Sequence, residues 1–263
     1  MNTVAAVTTT ADAFLGGRLT VAQLQKGYRA GIDAVLLAAT VTERAIAPLR
    51  VLDVGSGVGT IGLLVATRIA TAQVVLLERA PALAEIAKAN CAANCLNARV
   101  RVVRSDIRVA TSDLSAAGLV ADSFDDVLAN PPYHDEARGT AAPDPVKAAS
   151  HAMPNSDLDM WVRFLVRMSK PGGCATMVHK AEALDRVLAA FAGRFGAIHV
   201  LPIHPRVGAV ANRIIVRGTK GSRAPLVLLP GLVLHGDGNA FRPEVVAILR
   251  DGAALSLERT PTL

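Results

Sequence analysis

The feature that most constrains the fold is a regular alternation of short apolar segments with segments of helical spacing. Residues 50–54, 74–77, 100–103 and 124–129 are short runs dominated by apolar residues, as in strands that are buried on both faces. Segments with apolar residues three and four positions apart follow the first two runs, over about 60–69 and 81–93. The alternation predicts an α/β fold in which helices cover both faces of a mostly parallel sheet.

The rest of the chain divides into a short lead-in, the remainder of the alternating pattern and an extension. Residues 1–17 are expected to be an irregular lead-in, 18–25 a strand or hairpin arm and 32–45 a helix. Helices are predicted over 158–168 and 181–192, and strands over 174–178, 198–203 and 213–216. We therefore expect a lead-in over 1–48, packed on a domain over 49–263 that ends in an extra strand or two and a short helix.

Four of the apolar runs end in residues that suit ligand binding. The runs lead into Gly55-Ser56-Gly57-Val58-Gly59, Glu78, Ser105-Asp106 and Asn130-Pro131-Pro132-Tyr133, in that order. The carboxyl ends of parallel strands lie at one edge of a sheet, and ligands bind beyond that edge. Four such strand ends in succession predict a single ligand site.

The glycine-rich segment allows close approach of a ligand to the backbone, at the start of a helix whose N-terminus favours negative charge. Gly57 to Gly62 also fits the pattern G-x-G-x-x-G, so a nicotinamide dinucleotide site is one interpretation. Asp53 lies within the preceding strand, where a carboxylate is unfavourable for a pyrophosphate. It can instead orient the loop and bind the ammonium of an amino-acid group.

The carboxylates at the second and third strand ends have two interpretations each. Glu78 can accept both hydroxyls of a ribose, or it can form a surface ion pair with Arg79. Asp106 can accept a hydrogen bond from an adenine amino group, or it can cap a helix.

Asn130-Pro131-Pro132-Tyr133 is the most specific of the four motifs. Two prolines stiffen the loop and remove two N–H donors. The Asn130 side-chain oxygen and the Pro131 carbonyl can then accept from one planar amino group, and the Tyr133 ring can stack beside it. Such a group is an exocyclic amine of a base or a glutamine amide, although Asn-Pro and Pro-Pro also occur in ordinary turns.

Charge is unevenly distributed along the chain, whose formal net charge is +6. No Asp or Glu occurs from Arg186 to Gly236. The basic residues of this segment are Arg186, Arg194, Arg206, Arg213, Arg217, Lys220 and Arg223. A segment whose charged residues are all basic predicts a polyanionic partner such as RNA. The alternative is a solvated arginine-rich surface.

Other features narrow the class of protein. No apolar run is long enough to span a membrane, and the first residues lack the basic region of a secretory signal. Three cysteines fit no disulfide framework, so we expect a reducing, cytoplasmic environment. The six histidines are scattered along the sequence, and no metal site is expected.

The strand-end motifs together resemble those of S-adenosylmethionine-dependent methyltransferases of the Rossmann-like class, over about residues 50–216. The resemblance implies a seven-stranded sheet whose last strand is antiparallel, and S-adenosylmethionine as cofactor. The implied cofactor residues are Asp53, Gly55, Ser56, Gly57, Gly59, Glu78, Asp106, Ile107 and Asn130. The Asn-Pro-Pro-Tyr motif marks the subset that methylates planar nitrogens, with Asn130, Pro131 and Tyr133 at the reacting amine.

The N-terminal segment narrows the resemblance to one family. Residues 14–19 and 27–39 are similar to the lead-in of bacterial tRNA adenine-N6 methyltransferases that modify a valine tRNA, and of their alphaproteobacterial relatives. In that family Asp33 would lie over the methionine end of the cofactor, and the alternative is a carboxylate that satisfies helix-start N–H groups. The chain departs from the family at 134–154 and beyond Gly218.

Several other functions fit part of the pattern. Protein glutamine methyltransferases carry the same four-residue loop, but they usually have a long N-terminal helical domain, and the segment before residue 49 is short. Small-molecule amines and ribosomal RNA are further acceptors. A non-catalytic RNA-binding or cofactor-binding module and a nicotinamide oxidoreductase are the remaining alternatives.

Overall fold

The computed structural model describes residues 8–26, 29–44, 48–132, 155–236 and 238–258. Its strands are β1 (Thr9–Phe14), β2 (Leu19–Leu24), β3 (Leu49–Val54), β4 (Ala72–Glu78), β5 (Val100–Arg104), β6 (Phe124–Ala129), β7 (Ser169–Lys180), β8 (Phe195–His204), β9 (Arg213–Lys220), β10 (Val227–Leu228) and β11 (Leu232–Val233). Its α-helices are α1 (Ile32–Ala39), α2 (Thr60–Arg68), α3 (Pro81–Ala93), α4 (Thr111–Ala116), α5 (Asn155–Met168), α6 (Leu184–Phe191) and α7 (Pro243–Val246). No helix in these ranges has both the length and the apolar character needed to cross a membrane.

The central sheet has the strand order β10-β8-β9-β7-β6-β3-β4-β5, and β11 also pairs with β8. Strands β7, β6, β3, β4 and β5 are parallel to their neighbours in that order. Strand β9 runs antiparallel to both β7 and β8. The predicted α/β fold, with a mostly parallel sheet and an antiparallel last strand, is confirmed.

The sheet has nine strands rather than the seven implied by the resemblance. Strands β3 to β9 correspond to the seven, and β10 and β11 are two-residue additions that run parallel to β8. Pro230 and Gly231 separate these two pieces. Because proline cannot donate to a strand ladder, the extension pairs with β8 only in short stretches.

Helices cover both faces of the sheet because consecutive strand residues point to opposite sides. In β3, Val51 joins one hydrophobic cluster, whereas Leu52 and Val54 join the other. The first cluster includes apolar residues of α1, α2 and α3, and the second includes those of α5 and α6. All six residues of β6 are buried, as expected for a strand covered on both faces.

The lead-in is more ordered than the sequence predicted. Strand β1 lies within the segment expected to be irregular, and it pairs with β2 as an antiparallel hairpin. Its residues alternate between exposed and partly buried, and most of them are Thr and Ala, so the hydrophobic pattern is weak. Helix α1 ends at Ala39 rather than near residue 45 as predicted. Directly after this end, the Thr40 hydroxyl donates to the Leu37 carbonyl at 2.7 Å.

The hairpin of β1 and β2 and the C-terminal extension both pack on the central domain. Asn90 of α3 and Asn94, which caps that helix, exchange hydrogen bonds with the backbone of Ala22 and Thr20, respectively. These bonds fix the hairpin on α3. Near the C-terminus, the Leu255 N–H donates to the Ala39 carbonyl at 2.8 Å. The expected extra strands and short helix of the C-terminal extension are present, and the division of the chain at residue 49 stays a prediction.

Candidate active site

The predicted strand-end residues follow four adjacent strands, in the sheet order β6, β3, β4 and β5. Val54 pairs in register with Ala129 on one side and with Leu77 on the other. Backbone hydrogen bonds continue beyond the strands, from Ser56 N–H to Leu77 O at 2.9 Å and from Ser105 N–H to Glu78 O at 3.1 Å. The four motifs therefore form one continuous row at the carboxyl edge of the sheet.

The glycine loop requires the absence of side chains at several positions. Gly55, Gly57 and Gly59 have φ values of 67°, 56° and 91°, a region that disfavours other residues. A Cβ atom on Gly59 would lie 2.8 Å from Leu76 Cδ1, and one on Gly62 would lie 2.2 Å from Leu76 Cδ2. These contacts hold α2 close to β4 and place the helix N-terminus at the edge of the sheet.

Glu78 is buried and holds the glycine loop through its side chain. Its Oε2 accepts from the Gly57 N–H at 2.9 Å, and its Oε1 accepts from the Ala80 N–H at 2.7 Å. Only 6% of the residue is exposed. The alternative of a surface pair with Arg79 is therefore wrong, since the Arg79 guanidinium instead lies 4.0 Å from Asp106. A ribose-binding role for Glu78 stays a prediction.

Asp53 is completely buried beneath the loop. Its Oδ2 accepts from the Gly62 N–H at 2.9 Å, so it holds the first turn of α2, which directly follows the glycine loop. Burial raises the pKa of this carboxyl to about 7; the Gly62 hydrogen bond opposes that shift and the charge of Glu78 adds to it. Its interaction with an ammonium group stays a prediction.

Three buried oxygens in this region lack a hydrogen-bond partner among the described residues. They are Asp53 Oδ1, Ser56 Oγ and Thr60 Oγ1, on the strand, the loop and the helix of one continuous segment. Buried polar atoms are nearly always satisfied, by protein, water or ligand. Their grouping around the glycine loop fits a site that takes a polar ligand.

Asp106 lies at the far end of the row with a quarter of its side chain exposed. Its two oxygens accept from the Arg108 guanidinium at 3.1 and 3.0 Å, and the Arg108 backbone N–H donates to it at 3.0 Å. Burial opposes ionisation, but the contacts with Arg108 and Arg79 outweigh it, so the pKa of Asp106 is lowered. The following helix starts at Thr111 with Ala110 as its cap, which excludes Asp106 as the cap of that helix.

The acceptor loop begins directly after β6. Asn130 is partly buried, Pro131 is buried and Pro132 is partly buried. Tyr133 and the segment 134–154 lie outside the described residues, so the predicted stacking of Tyr133 stays a prediction. Ile107, predicted at the cofactor site, is partly buried and packs against the second hydrophobic cluster.

Asp33 is held by an ion pair with a distant arginine. It lies in the first turn of α1, as predicted, and its Oδ2 lies 3.0 Å from Arg213 Nε at the start of β9. The pair joins the lead-in to the antiparallel strand near the carboxyl edge of the sheet. A position over the cofactor stays a prediction.

The structure places one further aromatic residue beside the site. The end of the Trp161 ring packs so closely on Gly55 that a Cβ atom there would lie 2.5 Å from Trp161 Cη2. Trp161 lies on α5 and is partly buried. The sequence pattern does not single out Trp161, because its spacing fits an ordinary core position of an amphipathic helix. The signal that could have marked this residue is that it is the sole tryptophan of the chain.

The basic segment from Arg186 to Gly236 has acidic neighbours in space that its sequence does not show, and its role in RNA binding stays a prediction. Carboxylates from distant parts of the chain pair with at least four of its seven cations. The pairs are Arg194–Asp159, Arg213–Asp33, Arg217–Asp126 and Lys220–Asp122. Arg217, with 13% of its side chain exposed, also donates to the Thr40 carbonyl and Thr176 hydroxyl, so its role is structural. Local sequence could not reveal this compensation.

A comparison with known sequences finds a protein-family model that matches the region of the candidate site. The sequence model of the methyltransferase small domain family matches residues 29–158. That range contains the glycine loop, Glu78, Asp106 and the acceptor loop.

Relatives match over most of the chain. A tRNA1(Val) (adenine(37)-N6)-methyltransferase from Porphyromonas gingivalis is 27% identical over 90% of this chain and 93% of its own length. One of the same name from Aeromonas hydrophila is 29% identical over 73% and 77%, respectively. The crystal structure of a predicted O-methyltransferase from Agrobacterium tumefaciens is 30% identical, with a TM-score of 0.71 and coverage of 85% of this chain and 98% of that chain.

Proposed function

Because the chain belongs to the S-adenosylmethionine-dependent class I methyltransferases, we propose that it methylates the exocyclic amino group of an adenine in RNA, with tRNA as the favoured substrate. The observation that carries the proposal is the position of Asn130. It directly follows Ala129, whose register partner Val54 directly precedes the glycine loop. The acceptor loop and the cofactor loop are therefore neighbours on adjacent strands.

The row of strand ends fits S-adenosylmethionine as an elongated ligand. The strands from β6 to β5 span three strand spacings, roughly 14 Å. The backbone of the glycine loop and the unpartnered oxygens of Asp53 and Ser56 would hold the amino-acid end. Glu78 and Asp106 would face the ribose and the adenine, and Asp33 and Ile107 would line the site.

The acceptor amine would be held by two oxygens of the loop after β6. The Asn130 side-chain oxygen and the Pro131 carbonyl can each accept one of its two N–H groups. Pro131 and Pro132 have no N–H to compete for these acceptors, and proline fixes the backbone that carries them. Tyr133 would stack on the base.

The residues of the chain act chiefly by alignment and electrostatics. S-adenosylmethionine, when bound, supplies an electrophilic methyl group on a sulfonium. The amine of adenine is a poor nucleophile because its lone pair is conjugated with the ring. Hydrogen bonds to Asn130 and Pro131 favour a pyramidal nitrogen and orient its lone pair. The same oxygens stabilise the positive charge that develops on that nitrogen, so no strong general base is required.

The choice of tRNA rests on the relatives and on the lead-in. Proteins named as tRNA adenine-N6 methyltransferases match 90% of the chain in the P. gingivalis example and 73% in the A. hydrophila example. The residues of the lead-in and of the acceptor loop resemble the same family. A tRNA substrate would place the protein in the cytoplasm.

One rival reaction has an observation in its favour. The A. tumefaciens structure, at 30% identity, carries the name of a predicted O-methyltransferase. A hydroxyl acceptor offers only one hydrogen, whereas the acceptor loop presents two oxygens. A protein glutamine amide and a small-molecule amine are alternative nitrogen groups that could accept the methyl group. A non-catalytic binding module is the other alternative, and it would show no methyl transfer.

The test uses tRNA from cells of the source organism that lack the gene. The purified protein is incubated with this tRNA and labelled S-adenosylmethionine, and the nucleosides are then analysed by mass spectrometry. We expect label in N6-methyladenosine with the wild type and little with Asn130→Ala. Label in a 2′-O-methylated nucleoside, or full activity of Asn130→Ala, would contradict the proposal.

A further inference from the structure

We infer that the loop over residues 205–212, here called the valine loop, docks the RNA beside its target base. Arg206 would hold a phosphate, and Val207 and Val210 would pack on an unstacked neighbouring base. The inference rests on the proposed RNA substrate. It assigns RNA binding to one loop rather than to the whole basic segment.

The valine loop lies at the same edge of the sheet as the candidate active site. It joins the end of β8 at His204 to the start of β9 at Arg213. Arg213 pairs in register with Lys180, the last residue of β7. Strand β9 is two strand spacings from β6, which carries the acceptor loop, so roughly 10 Å separates them. Adjacent nucleotides of one RNA strand can cover that distance.

The loop exposes apolar side chains on a braced backbone. Val207 is 74% exposed and Val210 is 86% exposed. The His204 ring is hydrogen-bonded to the Ala209 carbonyl at 2.8 Å, and the Asn212 N–H donates to the Ile203 carbonyl at 3.1 Å. Because the loop is already ordered, binding costs little conformational entropy there.

Arg206 differs from the paired cations of the same sequence segment. Its guanidinium donates to the Gly238 carbonyl and to Asn239 Oδ1, which are both neutral acceptors. Within the described part of the chain, the contacts of this exposed residue orient its guanidinium and bring no carboxylate to it. A guanidinium oriented in this way beside the site is suited to a phosphate.

Cations at the other end of the sheet are too far away for the same task. Phe195, which follows Arg194, pairs with Lys220 at the amino edge, and Arg223 follows shortly after. Both Arg206 and Arg223 are exposed, but they lie at opposite edges. Arg223 is therefore the matched control for Arg206.

The exposed side chains of Val207 and Val210 favour RNA as the partner of this loop. Chemistry on a base within folded nucleic acid requires its removal from the stack, and apolar wedges stabilise the unstacked neighbours. A wedge of two valines flanked by an oriented arginine fits that need. A second protein surface could also cover two valines, and the experiments below separate the two.

The first experiment measures tRNA affinity as a function of salt for Arg206→Gln, Arg206→Lys and Arg223→Gln. Gln keeps a polar side chain with N–H donors but lacks the charge, and Lys keeps the charge. We expect Arg206→Gln to reduce the slope of log affinity against log salt by about one, with Lys restoring it and Arg223→Gln resembling the wild type. An unchanged slope for Arg206→Gln, or a reduced slope only for Arg223→Gln, would overturn the inference.

The second experiment compares the double substitution Val207→Ser and Val210→Ser on two substrates. We expect methyl transfer to folded tRNA to fall about tenfold, with a much smaller change on an unstructured adenine-containing oligonucleotide, since that strand needs no unstacking. Equal activity on folded tRNA would contradict the wedge. Unchanged RNA affinity together with an altered oligomeric state by sedimentation would identify a protein interface instead.

The wild-type controls separate this inference from the proposed function. If the wild type neither binds nor methylates tRNA, the proposed function fails. If the wild type does both and the valine-loop variants match it, only the location of the docking surface is wrong.

Discussion

The backbone N–H of Gly57 donates to Oε2 of Glu78 at 2.9 Å, so the carboxylate expected to bind a ribose also supports the glycine loop. Its other oxygen accepts from the Ala80 N–H. Both functions depend on two acceptor oxygens in one buried side chain. The proposed ribose contact would therefore couple the stability of the loop to cofactor binding through Glu78.

Glu78→Gln is expected to destabilise the protein even without cofactor. The amide of Gln has one acceptor oxygen, so one of the two partly buried N–H groups loses its partner, at a cost of about 1 kcal/mol. Chemical denaturation of the cofactor-free variant measures this effect, and titration calorimetry measures cofactor affinity. A variant as stable as the wild type, with only its cofactor affinity reduced, would show that the contacts to the loop contribute little.

Asp53→Asn tests the pH dependence that follows from burial. The pKa of Asp53 is raised from 3.8 to about 7, so the folded state favours the protonated form. The contribution of this shift to stability is fully present below pH 3.8 and is lost as the pH rises through about 7. The amide introduced by the substitution does not ionise, and its oxygen can still accept from Gly62.

The stability of the Asp53→Asn variant relative to the wild type should therefore increase with pH across this window and then level off. Denaturation at a series of pH values that brackets the window, about one measurement per pH unit, tests this expectation. A difference between the two proteins that is independent of pH would contradict the assignment. Cofactor affinity of the variant should fall if Asp53 also binds the ammonium.

Gly55→Ala should disturb both the loop and Trp161. The positive φ and the predicted contact of 2.5 Å with Trp161 Cη2 both oppose a side chain. Overpacking of this kind costs about 1–3 kcal/mol. A double-mutant cycle with Trp161→Leu is the measurement, and we expect the second substitution to recover part of the loss. Strictly additive effects would contradict direct packing between the two residues.

Trp161 should also report cofactor binding. It is the only tryptophan in the chain and it touches the loop. Addition of S-adenosylmethionine should change its fluorescence in a saturable manner, with Trp161→Phe as the control for signal from other residues. A flat titration, with binding demonstrated by calorimetry, would place the indole away from the ligand.

Features that depend on residues close together in the sequence could be predicted from the sequence alone. The alternating apolar runs predicted the sheet, and the residues after each run predicted the row from Asn130 to Asp106. Features that depend on distant residues were not predictable. Asp33 and Arg213 are separated by 180 positions, and nothing local indicates that they pair. Strand β1 was overlooked because its stability comes from pairing with β2 rather than from its own hydrophobic pattern.

The most direct measurement of the central claim is mass spectrometry of tRNA nucleosides from the source organism with the gene deleted. We predict that deletion lowers N6-methyladenosine in tRNA, that the wild-type gene restores it and that a gene encoding Asn130→Ala does not. Unchanged N6-methyladenosine after deletion, or restoration by the Asn130→Ala gene, would contradict the assignment of an adenine amino group held by Asn130.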